Sequence, residues 1–125
     1  MSHVRTGTAT IVTGTDGAGT GYTPSLNGFV HSIRYVKTNF TDGVDFDVTV
    51  ESTGEVLWDQ DNVNAAAIKY PRIGVHNSLG TAITFDGTAA VPITDRVALA
   101  DDRVKVVVAN GGTTGQTGSF IVQVV

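Results

Sequence analysis

Apolar and polar residues alternate along most of this chain, and the period is two. Residues 45–50 show it most cleanly, with Phe46, Val48 and Val50 on one side and Asp45, Asp47 and Thr49 on the other. Residues 103–109 repeat the pattern, with Val104, Val106 and Val108 facing one way and Arg103, Lys105 and Val107 the other. Residues 29–37 alternate as well, and strict alternation puts Phe29, Ile33 and Tyr35 on one face and Val30, Ser32 and Arg34 on the opposite face. Threonine alternates around Ala9, Ile11 and Val12, which predicts a first strand over residues 6–13. Ser52-Thr53-Gly54-Glu55 reads as a hairpin turn, with Val56-Leu57-Trp58 as the returning strand and Trp58 as a core anchor. Residues 120–125 form the last predicted strand.

The remaining segments are punctuated rather than periodic. Asp16-Gly17-Ala18-Gly19-Thr20-Gly21 reads as a flexible loop closed by Tyr22-Thr23-Pro24. Residues 39–43, Asp101-Asp102 and the run from Asn110 to Gly118 read as turns. Residues 83–85 suggest a short strand and Asp86-Gly87 a turn, while residues 91–99 resume extended structure, with Pro92 marking a strand start or an edge. Asn64-Ala65-Ala66-Ala67-Ile68-Lys69 is compatible with one or two helical turns before Pro71, too few for a stable helix. These segments predict an all-β chain of about eight strands, a single antiparallel β-sandwich of jelly-roll type. At 125 residues one domain over 1–125 is expected, with a mobile Gly/Thr-rich arm and loop over 1–24.

Composition narrows the function. A net charge of −4 and eight Lys and Arg argue against a phosphate-binding basic face, so neither nucleic acid nor an anionic membrane is an expected partner. No apolar stretch approaches the ~18 residues of a membrane-spanning helix, and the first residues lack the apolar core of a secretion signal. A protein made in a cytoplasm is expected. The absence of cysteine removes thiol catalysis, disulfides and Cys-ligated zinc.

The motifs that invite chemistry each fail on spacing. Gly17-Ala18-Gly19-Thr20-Gly21 follows a strand, but a dinucleotide motif would need its third glycine at Tyr22, and no Gly-Lys pair or helix follows. Asp42, Asp45, Asp47, Asp59 and Asp61 could suggest calcium, yet Asp45 and Asp47 stand roughly 6–7 Å apart along a strand and miss the spacing of a calcium loop. A solvated acidic face is the plainer reading. His76-Asn77-Ser78 lacks the glycine that a nucleophile elbow places before its serine. His31 falls on the half-buried face of a strand and reads as a hydrogen-bonded structural histidine. Asn39-Phe40-Thr41 matches a glycosylation sequon, without meaning where no secretion signal precedes it. No enzyme, metal or cofactor is therefore expected. Most aromatic residues fall at inward positions, which leaves Tyr22 and Tyr70, each beside a proline-containing loop, as the contact-surface residues.

Several segments taken together carry a resemblance. Gly21-Tyr22-Thr23-Pro24, Asn27-Gly28-Phe29-Val30-His31-Ser32-Ile33, Thr53-Gly54-Glu55-Val56-Leu57, Pro92-Ile93, and Asp102-Arg103-Val104-Lys105-Val106-Val107-Val108-Ala109-Asn110-Gly111-Gly112 resemble small structural proteins of tailed bacteriophages, nearest to capsid decoration, or cement, proteins. The resemblance implies a non-enzymatic virion protein that binds the major capsid protein on the outer capsid surface as a homo-oligomer, a trimer or a dimer. It brings no catalytic residues. A carbohydrate- or receptor-binding sandwich using Tyr22 and Tyr70, a neck or tail component, and a hydrolase built on His76 and Ser78 are the competing readings.

Overall fold

The computed structural model describes residues 4–85 and 91–125. In chain order its strands are β1 (Arg5–Val12), β2 (Gly19–Tyr22), β3 (Leu26–Lys37), β4 (Val44–Val50), β5 (Val56–Val63) and β6 (Ala67–Lys69). There follow β7 (Ile73–Gly74), β8 (Thr94–Asp95), β9 (Ala98–Asp102), β10 (Val104–Ala109) and β11 (Thr117–Val124). Every pairing is antiparallel. One sheet runs β1-β11-β3-β6, with β9 also paired to β3, and the other runs β2-β10-β4-β5. The two sheets pack face to face as a β-sandwich.

The alternating segments supply the core. Phe46, Val48 and Val50 of β4 and Val104, Val106 and Val108 of β10 are buried from the second sheet. Ile11, Ile33, Tyr35, Phe120, Val122 and Val124 meet them from the first. Aromatic rings join the layers: Phe46 lies 4.8 Å from Phe120, 5.0 Å from Tyr35 and 4.9 Å from Trp58 between centroids. The Trp58 indole N–H is satisfied by the Gln60 side-chain oxygen at 2.8 Å. The Tyr35 hydroxyl is buried without a hydrogen-bond partner.

Strand β11 lies in the middle of its sheet, between β1 and β3. Its backbone groups are spent inside its own sandwich.

Three segments differ from the sequence expectation, each for a local reason. In β3 the register against β11 shifts so that Ser32 faces Gln123 but Val30 faces Val124. That extra residue is a β-bulge, and it reverses the alternation. Val30 therefore turns into the core, and Phe29, expected on the inner face, is left exposed with the Arg96 guanidinium 4.7 Å above its ring. His31 is exposed rather than half-buried. Residues 67–69, read as part of a helical turn, form a strand because β3 offers a free edge to Ala67, Ile68 and Lys69. Asp101 and Asp102 close β9 rather than forming a separate turn.

The glycine-rich stretch is only partly a loop. From Gly19 it becomes β2, paired with β10 through Gly19↔Val108 and Gly21↔Val106. A Cβ on Gly19 would lie 2.8 Å from both the Ile11 side chain and the Val12 carbonyl oxygen, and one on Gly21 would lie 3.0 Å from Ile11. The Gly-x-Gly spacing thus lets β2 cross close over β1 and bring the two sheets together along that edge.

Candidate contact surface

The two tyrosines singled out in the sequence are both exposed, on different sheets. Tyr22 is the last residue of β2, and the Arg103 guanidinium sits 4.2 Å over its ring. Arg103 is itself fixed by Glu51, with 2.5 Å between Nη2 and Oε2. One face of Tyr22 is therefore already occupied by a cation. Tyr70 follows β6, and its ring meets His31 edge-on at 5.5 Å. The Arg72 guanidinium donates to the Pro71 carbonyl at 2.7 Å and to the His31 carbonyl at 3.4 Å. Each tyrosine belongs to its own small cluster.

The aspartates serve the fold. Asp45 accepts from the Asn62 backbone N–H at 2.9 Å and from the Asn110 side-chain amide at 2.6 Å. Both asparagines adopt left-handed backbone at φ 57°, so one carboxylate steadies two turns. Asp42 pairs with the Lys37 ammonium. Asp45, Asp47, Asp59 and Asp61 line a shallow depression of about 130 Å³ together with Phe46, Val107 and Ala109. Partial desolvation there, with the Asp59 carboxylate nearby, pushes Asp47 above the ordinary carboxylate range, against an opposing pull from Lys105. Among the described residues no group of three or more His, Asp or Glu side chains is placed to hold a metal ion.

His76, Asn77 and Ser78 lie in a hairpin turn. The Asn77 side-chain oxygen accepts the backbone N–H groups of Leu79 at 2.9 Å and Thr81 at 3.1 Å, which commits it to the turn.

That turn belongs to a feature the sequence reading missed. Between Arg72 and Asp95 no described residue is buried, and the backbone forms an arm standing off the sandwich. Its stem is the β7–β8 pair, with Ile73 opposite Asp95 and Gly74 opposite Thr94. Beyond it, isolated pairings of His76 with Ala82 and of Thr84 with Pro92 begin two further ladders. The three ladders meet in a ring of backbone bonds: Val75 N–H to the Ile93 carbonyl at 3.0 Å, Ile93 N–H to Ile83 at 3.1 Å, and Ile83 N–H to Val75 at 3.0 Å.

Residues opposite one another share a face, and faces alternate along each strand. The registers therefore place Val75, Ile83 and Ile93 at the centre of one face, with Ile73, Phe85 and Val91 around them. The rim of that face is completed by Asn77, Thr81 and Asp95, while Gly74, His76, Ala82, Thr84, Pro92 and Thr94 take the opposite side. The signal was present in the sequence as three apolar i, i+2 pairs, Ile73/Val75, Ile83/Phe85 and Val91/Ile93. The sequence pattern reads residues 83–85 and 91–99 as extended, but Ile73/Val75 is too short and too closely flanked by Pro and Gly to read as a strand, and periodicity does not say that the three pairs share one face.

The sequence matches no family model and no curated protein.

Proposed function

We propose that the chain is a non-enzymatic structural protein of a bacteriophage virion that decorates the outer capsid surface, contacts the major capsid protein and reinforces the shell as an oligomer. The observation that carries this reading is the division of the molecule into a closed sandwich with a continuous aromatic core and an arm whose apolar face leaves Ile73, Phe85, Val91 and Ile93 exposed among the described residues. A rigid body with a sticky extension suits a protein whose task is contact. The segments that resemble decoration proteins support it, and they include the core strand β10 and the Gly28 bend of β3. Clamping would work by mass action: a shell that gains contacts only when decorated is stabilised by the free energy of those contacts. Many copies on one lattice add avidity.

Co-sedimentation with expanded, undecorated capsids at rising protein concentration tests the reading. Saturation at a fixed copy number per capsid is the expected result. Retention on tails or necks alone, or no retention, would overturn it.

A further inference from the structure

We infer that the apolar face of the arm is a self-association surface, covered by the same face of a second copy of this chain. The inference rests on the reading of the chain as an assembling structural protein and says which surface assembles it.

Exposure of 37% at Ile73, 78% at Phe85, 54% at Val91 and 41% at Ile93 leaves on the order of 400 Å² of contiguous apolar surface, the size of the largest patch on a typical monomer. With the rim around it, the face approaches the ~800 Å² that each partner gives to a stable interface. A small sheet with no core of its own is marginal in water. Covering that face would stabilise it, and the covering surface that is present whenever the chain is present is another copy of the chain.

Charge does not oppose this occupant. The acidic excess is concentrated in residues 42–61, which hold seven carboxylates and no Lys or Arg, so copies repel one another chiefly through that stretch. Residues 71–96 hold two arginines, Arg72 and Arg96, and two aspartates, Asp86 and Asp95, which cancel. The arm is thus uncharged on balance and lies outside that acidic stretch. Its six central positions carry no charge and no side-chain hydrogen-bonding group, so the face offers a polar ligand nothing to hold. Packed on itself it would make an isologous contact in which each copy covers the other.

Sedimentation velocity of the purified chain at increasing concentration, beside the double variant Phe85→Asp/Ile93→Asp, tests this. The wild type is expected to sediment as an oligomer, and the variant as a single chain, with association weakened at least ~30-fold, the loss a central interface residue carries. Trp58 lies in the sandwich core, so its emission reports whether the variant keeps its fold. Thr84→Asp, on the opposite face, is expected to leave the oligomer intact. Because the chain has no cysteine, Ile93→Cys gives a second test: a short bis-maleimide should cross-link it, and should not cross-link Thr84→Cys. A wild-type monomer at all concentrations, or an oligomer that survives the double variant with Trp58 unchanged, overturns the inference. Capsid co-sedimentation is scored separately. A monomer that still saturates capsids defeats the inference and leaves the decoration reading standing. An arm-dependent oligomer that ignores capsids does the reverse.

Discussion

Two side chains in this molecule sit where the fold gives them less than water would. The Tyr35 ring packs among Phe40, Phe46 and Phe120, and its buried hydroxyl finds no hydrogen-bond partner. A buried polar group left unpaired costs about 1–3 kcal/mol, so Tyr35→Phe, which keeps the ring, should raise stability by ~1 kcal/mol, read as a higher Tm. Asp47 is the second case. Desolvation and then Asp59 raise its folded pKa above the unfolded value, so the folded chain holds the proton more tightly. Stability therefore falls as pH rises from the ordinary carboxylate value through the raised one. Asp47→Asn should stabilise the protein near neutral pH, by less than about 1 kcal/mol at so exposed a site. The gain should vanish below pH ~3, where both states are protonated. Urea titrations at the two pH values measure the difference.

Strands were legible in the sequence wherever one face is buried along their whole length. β4 and β10 are such strands, and their inward residues are those the alternation named. β3 was legible only in part, because one bulged residue moves every side chain before it to the other face and periodicity cannot report an insertion. β6 was hidden by its own composition: Ala66 and Ala67 favour helix locally, and only the free edge of β3 makes residues 67–69 extended. The arm was hidden for a third reason, since its elements are two or three residues long and exist through one another. Tyr22 and Tyr70 were found as exposed aromatics, but the Arg103 and His31 that engage them come from distant sequence positions. The glycines of β2 show how far an element depends on what is absent from it. Gly19→Ala would push a Cβ against the Val12 carbonyl oxygen, an atom of the backbone that cannot rotate away. The expected cost is about 1–3 kcal/mol, with hydrogen exchange accelerating first in β2 and its partner β10.

In the molecule taken entire, the sandwich and the arm differ in how they are held. The sandwich closes on its own contacts, with the aromatic rings of both sheets interlocked. The arm is held by backbone pairing and the Asn77 side chain at its turn, with no described residue buried, and its bonds should open at lower free energy than those of β3, β10 and β11. Central position also makes β11 indispensable. A chain ending at Gly118 loses Phe120, Val122 and Val124, all fully buried, and leaves β1 and β3 without the strand between them. Such a chain should not fold, because the loss exceeds the roughly 5–15 kcal/mol that holds a domain of this kind together. Far-UV circular dichroism without the strand signal would be the expected readout.

The pairing of β1 with β11 joins Arg5 to Val124 across almost the whole chain. On the ribosome this has a definite order of events. β1 is made more than a hundred residues before the strand that completes it. The first sheet cannot close until synthesis has passed residue 124, so this domain closes only after β11 has left the ribosome. Until then β1 offers the nascent chain's neighbours an open edge, and copies made from one polysome are in a position to meet before any of them has finished folding.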